Sequence, residues 1–318
     1  MKMLMVKTSY LILLVILISV GVTSALHIHS TLRSDPVIVA VGDIACSNDS
    51  NHRDILDRCH ELQTSDLALS VNPDAVFLLG DLQYFDGKYE DFLGSYDPTW
   101  GRIKSITYPS PGNHDYQSFD GAKGYFDYFG AAAGDPTKGY YSFDIGSWHI
   151  ISLNSNCQEE DPEDPTKDKM VSCAKPPEQV EWLKNDLAAD DSKCTLAFWH
   201  HPMFSSGGGG SHPTVGPFWD ELYADKADVV LVGHDHNYER FLPQDPNATQ
   251  VADGITQFVV GTGGWSLWNM YDEKENTAIF NATSYGILKL VLHDSSFDWE
   301  FIPEPGSQFT DKGTGLCN

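Results

Sequence analysis

Five short strand-like runs punctuate the chain, and each stops at the same kind of residue. Val37–Val41 runs into Gly42-Asp43, and Ala75–Leu79 into Gly80-Asp81, with Tyr84 three residues on. Ile106–Pro111 runs into Gly112-Asn113-His114-Asp115. Thr195–Trp199 runs into His200-His201, and Val229–Val232 into Gly233-His234-Asp235-His236. Unbroken apolar runs of this length predict strands buried on both faces, as in the middle of an α/β sheet. Each strand then delivers an Asp, Asn or His to its C-terminal end, where open α/β sheets place their ligands. One Gly-Asp alone reads as a turn. Gly134-Asp135-Pro136, with no apolar run before it, is taken as one, and His293-Asp294 after Leu290–Leu292 is set aside as coincidence. Five such endings along one chain are not coincidence.

The remaining pattern fills in the architecture. Asp54–Leu69 has helical spacing at Ile55, Cys59, Leu62 and Leu69, which predicts a strand–helix–strand unit with the run that follows. Lys88–Tyr96, Lys123–Phe129 and Pro177–Ala189 read as helices, the last with Val180, Leu183 and Leu187 inward. Tyr140–Ile145 and Trp148–Leu153 read as a hairpin about Gly146-Ser147, and the acidic Glu159–Lys169 as a surface loop. Ser205–Ser211, with four successive glycines, reads as a mobile loop, either a spacer or a rim that closes over substrate. After His236, Gln257–Val260, Tyr285–Leu292 and Phe297–Ile302 suit a sheet. Gly261-Thr262-Gly263-Gly264-Trp265 lacks the lysine and helix of a phosphate-cradling P-loop and is expected to be a tight loop beside the site. Helices alternating with strands, then mainly strands, predict an α/β (α+β) fold of two stacked sheets with helices outside.

Composition narrows the chemistry. The chain has 318 residues, 41% of them hydrophobic, with 45 acidic against 20 basic residues and a formal charge of −25. That balance excludes a nucleic-acid-binding surface. It also repels an anionic substrate at long range, so attraction must be local, as bound cations would supply it. Residues 1–25 combine Lys2 and Lys7, the apolar stretch Tyr10–Val22 and small residues at Thr23-Ser24-Ala25, which predicts a secretory signal peptide. An uncleaved membrane anchor is the competing reading. Six cysteines without a Cys-x-x-Cys pair suit disulfides in an exported chain. The expected pairing is local, Cys46 with Cys59 and Cys157 with Cys173, leaving Cys194 with Cys317, although six cysteines allow 15 pairings. Sequons at Asn48, Asn247 and Asn281 are glycan acceptors in a eukaryotic host.

The polar endings supply oxygen and nitrogen donors suited to iron, zinc or manganese. Their order, Gly42-Asp43, Gly80-Asp81-x-x-Tyr84, Gly112-Asn113-His114-Asp115, His200 and Gly233-His234-x-His236, resembles the calcineurin-like metallophosphoesterases. Gly-Asp-x-x-Tyr narrows the resemblance to the purple acid phosphatase branch, and His234–Arg240 looks like that family's sequence around its last ligands. The likeness spans residues 36–303, followed by a tail, 304–318, tied back through Cys317. The chain departs from larger members in having no room for a separate N-terminal sandwich domain before Asp43.

The resemblance implies a four-layer sandwich, two mixed β-sheets face to face with helices outside, holding two metal ions. Asp81 would bridge both ions with its two oxygens. Asp43, Tyr84 and His236 would complete a site for Fe(III). Asn113, His200 and His234 would complete a site for Zn, Mn or Fe(II). His200 rather than its neighbour His201 is the implied ligand, since successive strand residues face opposite ways. Metal-bound hydroxide would attack phosphorus, with His114 as general acid. Asn113, His114 and His212 would contact substrate, and Asp115 and Asp235 would orient histidines. The implied protein is a secreted, purple acid phosphatase-like enzyme acting on small phosphomonoesters, with no nucleic-acid or membrane partner beyond the N-terminal anchor reading. A phosphodiesterase or nucleotide hydrolase on the same site is the near alternative, and an inactive metal- or phosphate-binding surface protein the distant one.

Overall fold

The computed structural model describes residues 35–47, 59–118, 121–161, 164–170, 173 and 177–318. The segment 1–25, Ile55 and the Asn48 sequon lie outside the described residues. Fifteen strands and six α-helices are assigned among them. The strands are β1 (Val37–Val41), β2 (Ala75–Leu79), β3 (Thr107–Ser110), β4 (Tyr141–Ile145), β5 (Trp148–Ser152), β6 (Gln158–Asp161), β7 (Asp164–Met170), β8 (Cys194–Phe198), β9 (Val229–Val232), β10 (Tyr238–Phe241), β11 (Thr256–Val260), β12 (Thr277–Asn281), β13 (Gly286–Leu292), β14 (Ser296–Pro303) and β15 (Lys312–Leu316). The helices are α1 (Glu61–Val71), α2 (Tyr89–Asp91), α3 (Asn113–Tyr116), α4 (Lys123–Phe129), α5 (Glu178–Ala189) and α6 (Gly216–Ala224).

The strands form two mixed sheets and a small hairpin. The first sheet has the order β15-β14-β13-β1-β2-β3, and the second β12-β10-β11-β9-β8-β5-β4. β1, β2 and β3 run parallel, with Ala40 opposite Phe77 and Leu79 opposite Ser110. β5, β8, β9 and β11 are likewise parallel. The predicted strand endings therefore come in two adjacent groups, three from the first sheet and two from the second.

Continuous apolar runs form these strands because both faces are covered. On β8, Leu196 and Phe198 enter the core shared with β1 and β2, while Ala197, and Trp199 just past the strand, pack with Leu183 and Leu187 of α5 and Phe218 and Trp219 of α6. Phe77 and Phe198 stack across the sheets with ring centroids 4.9 Å apart. Truncating either to Ala should cost about 3–5 kcal/mol.

Several elements differ from the sequence reading. Within α1 the buried residues are Thr64, Ser65 and Ala68, whereas Leu62 and Leu69 are exposed. Hydrogen bonds override hydrophobicity there. Thr64 Oγ1 donates to the Gly263 carbonyl at 2.5 Å, and Arg102 donates to Ser65 Oγ at 2.6 Å. The predicted helix 88–96 is one turn of α2 followed by a π-turn, Phe92–Tyr96, that turns Phe92 and Tyr96 inward. The predicted loop 159–169 contains the paired strands β6 and β7. Part of the tail, Lys312–Leu316, is an edge strand paired with β14.

Three disulfides join Cys46 to Cys59, Cys157 to Cys173 and Cys194 to Cys317, with no free cysteine. No helix among the described residues is long and apolar enough to cross a membrane.

Candidate metal centre

The loops after β1, β2, β3, β8 and β9 converge at one edge of the two sheets. Asp43, Asp81 and His234 all take left-handed backbone, with φ of 60°, 51° and 70°. Such a conformation costs a non-glycine residue roughly 1–2 kcal/mol, and its use at three neighbouring strand ends marks a functional constraint. The turn also demands glycine. A Cβ on Gly80, itself at φ +83°, would lie 2.6 Å from the His200 ring.

Two clusters of donors result. In the first, Tyr84 Oη lies 2.9 Å from Asp43 Oδ1, 3.2 Å from Asp81 Oδ2 and 3.0 Å from His236 Nε2. His236 Nε2 is 3.3 Å from Asp43 Oδ1. In the second, His200 Nε2 lies 3.2 Å from Asp81 Oδ2, 3.1 Å from Asn113 Oδ1 and 3.3 Å from His234 Nδ1. His234 Nδ1 is 3.1 Å from Asn113 Oδ1. The seven ligand positions read from the sequence thus meet in two groups that share one atom, Asp81 Oδ2. The other oxygen, Asp81 Oδ1, accepts the His114 backbone N–H at 2.7 Å.

The tautomers show what the clusters fit. His236 Nδ1–H donates to the Ser266 carbonyl at 2.8 Å, and His200 Nδ1–H to the Leu79 carbonyl at 2.7 Å. Each Nε2 therefore aims at the carboxylates, as a lone pair when the ring is neutral. In the first cluster a single phenol proton faces Asp43 Oδ1, Asp81 Oδ2 and the His236 Nε2 lone pair. Three acceptors with one proton among them, all buried, suit a cation.

Electrostatics agree. Burial, then Asp43 and Asp81, push the Tyr84 phenol well above its ordinary range, so a cation is what would make it a phenolate. Burial works against a charged His200, yet Asp81 and Asp43 raise it to about 9. Burial would raise Asp81, but His200, His114 and His234 hold it below the usual carboxylate range. A proton on His200 thus occupies the place a metal would take. Burial and neighbouring imidazoles keep His234 and His201 neutral, well below the ordinary histidine value.

His114 Nδ1–H donates to the Phe85 carbonyl at 2.7 Å, and its Nε2 lies 4.0 Å from Asp81 Oδ2. His212, expected at the substrate, has its ring 4.6 Å from that of His234, and its Nε2 is buried without a protein partner. Burial and the charge of His200 lower His212 to about 4. His201 lies beside the second cluster, its Nδ1 2.9 Å from Ser155 Oγ. Its ring centroid is 4.6 Å from that of His234.

Asp115 and Asp235 do not orient histidines. Asp115 Oδ2 accepts the Gly112 amide at 2.8 Å and its Oδ1 the Leu82 amide at 3.3 Å, fixing the loops that carry Asn113 and Asp81. Burial and the charge of Asp81 raise Asp115 to about 7. Asp235 binds the glycine loop instead. His114, His200 and His236 are set by backbone carbonyls, which no residue type announces. The Gly261–Trp265 loop does lie beside the site, as expected. Trp265 N–H donates to the Asp43 carbonyl at 3.0 Å, and its ring stacks on Tyr84 at 4.4 Å. Trp268, which the sequence reading passed over, stacks on His236 at 3.8 Å.

Two donor clusters joined through one carboxylate oxygen, on two packed mixed sheets, define a protein suited to hold a pair of cations side by side. The calcineurin-like phosphoesterase family model matches residues 36–238, and the chain belongs to that family. It is 28% identical over 207 residues to purple acid phosphatase 15 of Arabidopsis thaliana, covering 53% of this chain and 36% of that one. It is 26% identical over 259 residues to probable inactive purple acid phosphatase 1 of the same plant, covering 70% and 40%. The structure of purple acid phosphatase PPD1 from yellow lupin seeds superposes with a TM-score of 0.71 at 20% identity, covering 88% of this chain and 53% of that one, a likeness of fold. The chain spans well under half the length of the two curated relatives.

Proposed function

We propose that the protein is a secreted, binuclear metal-dependent phosphatase that hydrolyses small phosphomonoesters. The observation that carries this reading is the sharing of Asp81 Oδ2 between the two donor clusters. Two cations close together need an anionic atom between them, and a structural single-metal site has no use for a second set of donors. Asp43, Asp81, Tyr84 and His236 would hold Fe(III), favoured by a phenolate. Asp81, Asn113, His200 and His234 would hold Zn, Mn or Fe(II), where the neutral Asn113 oxygen leaves charge to spare for an anionic substrate. Bound there, such ions would activate water as the nucleophile and draw charge from the phosphate oxygens.

The chain's own residues supply the rest. His114 Nδ1–H is engaged by Phe85, so the proton for the leaving oxygen comes from Nε2, and the acid form is the imidazolium. Its side chain is a quarter exposed, which leaves it open to the leaving group and to reprotonation. His212 Nε2, buried and unpartnered by protein, donates to a phosphate oxygen when it carries the ring proton. Three disulfides and the N-terminal apolar stretch support export.

The test is a panel of p-nitrophenyl phosphate, its bis ester and ATP, with protein loaded with iron and zinc or manganese. The expected result is turnover of the monoester at two metals per chain, lost with chelator and restored with metal. Preference for the bis ester or for ATP would favour the diesterase or nucleotide reading. Full metal occupancy with no turnover would leave a binding role, and two relatives are named as probable inactive enzymes.

A further inference from the structure

The segment from His234 to Glu239 has two working faces. His234 and His236 turn toward the donor clusters. Asp235, Asn237 and Glu239, all fully buried, lie at the alternate positions, and each meets the glycine-rich loop. Asp235 Oδ1 accepts the Gly209 amide at 2.5 Å, and Oδ2 accepts the Gly210 amide at 3.1 Å together with the Ser205 hydroxyl. Glu239 accepts the Ser206 amide at 2.8 Å and the Thr277 hydroxyl at 2.7 Å. A Cβ on Gly207 would lie 2.4 Å from Asn237 Nδ2, and one on Gly209 would lie 2.9 Å from Asp235 Oδ1 and 3.2 Å from the His234 ring. The loop closes on itself where His212 N–H donates to the Pro202 carbonyl at 2.8 Å. Gly207 and Gly209 therefore serve close approach, and the loop expected to be mobile is tied down by hydrogen bonds at Ser205, Ser206, Gly209 and Gly210.

We propose that Asp235 is a positioning residue that fixes the glycine loop, and with it His212, to the segment bearing His234 and His236. The phosphate-binding wall is then preformed, and its placement follows the metal ligands. Asp235 lies between His234 and His236 on a tightly bent segment, with its N–H donating to the Gly233 carbonyl at 2.9 Å and its carbonyl accepting the Asn237 N–H at 2.7 Å, so it cannot shift toward the loop without moving the two histidines beside it. Buried carboxylates that accept several N–H and O–H donors hold backbone far more firmly than glycine's own preferences do. The part concerning phosphate rests on the reading of His212 as a phosphate ligand, whereas the part concerning the loop does not.

The test compares full-length, metal-loaded protein with Asp235→Asn, His212→Ala and the double variant. Asp235→Asn puts an NH₂ against amide donors while keeping the side-chain shape. Metal per chain is measured by elemental analysis, amide exchange over 205–211 by mass spectrometry, and inorganic phosphate affinity by calorimetry. Asp235→Asn should keep two metals, speed exchange across the loop by about tenfold or more, and weaken phosphate about tenfold with KM rising more than kcat falls. His212→Ala should weaken phosphate similarly, and the double variant no further, since Asp235 acts through His212. Unchanged exchange in Asp235→Asn overturns the proposal, and so does a fully additive double variant. Wild-type protein that holds two metals yet neither binds nor hydrolyses phosphate overturns the functional reading alone, with the exchange arm still deciding the loop. Should Asp235→Asn fail to fold, Ser205→Ala removes one donor at unchanged charge and should show the same exchange change in smaller measure. No change there would also overturn the proposal.

Discussion

Asp81 and His114 meet through two different atoms of each. The His114 backbone N–H donates to Asp81 Oδ1 at 2.7 Å, and His114 Nε2 stands 4.0 Å from Asp81 Oδ2. The carboxylate that joins the two donor clusters therefore also fixes the main chain of the candidate acid.

His114→Asn should lower kcat for an alkyl phosphate by about 10²–10⁴-fold, the usual contribution of a general acid. With p-nitrophenyl phosphate, whose leaving group departs without a proton, the loss should be far smaller. Equal losses on both substrates would assign His114 to structure, and steady-state kinetics on the pair decide it.

Asp81→Asn can keep the contact from the His114 amide through its carbonyl. It then places an NH₂ where both clusters meet. Metal content should fall below two per chain and activity by about a thousandfold or more. Two retained metals would move the bridge to another residue.

Tyr84→Phe removes one hydroxyl from the first cluster and leaves the ring stacked on Trp265. Iron-loaded, oxidised wild-type protein should show a visible phenolate-to-iron band, absent from the variant. Activity should fall less than with Asp81→Asn. Iron at unit occupancy without a band, or a band unchanged by the substitution, would take Tyr84 out of the metal shell.

Far from this centre, His149 on β5 touches Asp144 and Asp186 at 3.0 Å each, with Asp190 at 3.7 Å. Burial opposes its charge, but the hydrogen bonds and the nearby carboxylates raise it from 6.5 to about 9. A raised histidine contributes stability in full below 6.5 and loses it as pH rises toward 9. His149→Gln should thus destabilise by about 2 kcal/mol at acidic pH, allowing for screening, and by little above the raised value. Urea denaturation on either side of that window measures it.

The strand ends were legible because an apolar run buried on both faces leaves one reading, and because Asp, Asn and His after it have few structural reasons to be there. The face of α1 was not legible. Thr64 and Ser65 are buried through bonds to Gly263 and Arg102, partners that periodicity does not see. β10, β12 and β15 were missed because edge or polar positions break the apolar pattern, as in Tyr238–Phe241 and Lys312–Leu316. Residue types named a shared carboxylate, but which of its oxygens faces both clusters depends on where the His114 amide points. The same holds for the histidine tautomers, set by the carbonyls of Leu79, Phe85 and Ser266.

Asp43, Asp81, Tyr84 and Asn113 follow strands of the first sheet, and His200, His234 and His236 follow strands of the second. Neither donor cluster is complete within one sheet. Each ion held there would be a clasp across the seam of the sandwich, and chelation would weaken that seam. A descendant with no catalysis left would still have reason to keep its seven donors, since they would still fasten the two halves together.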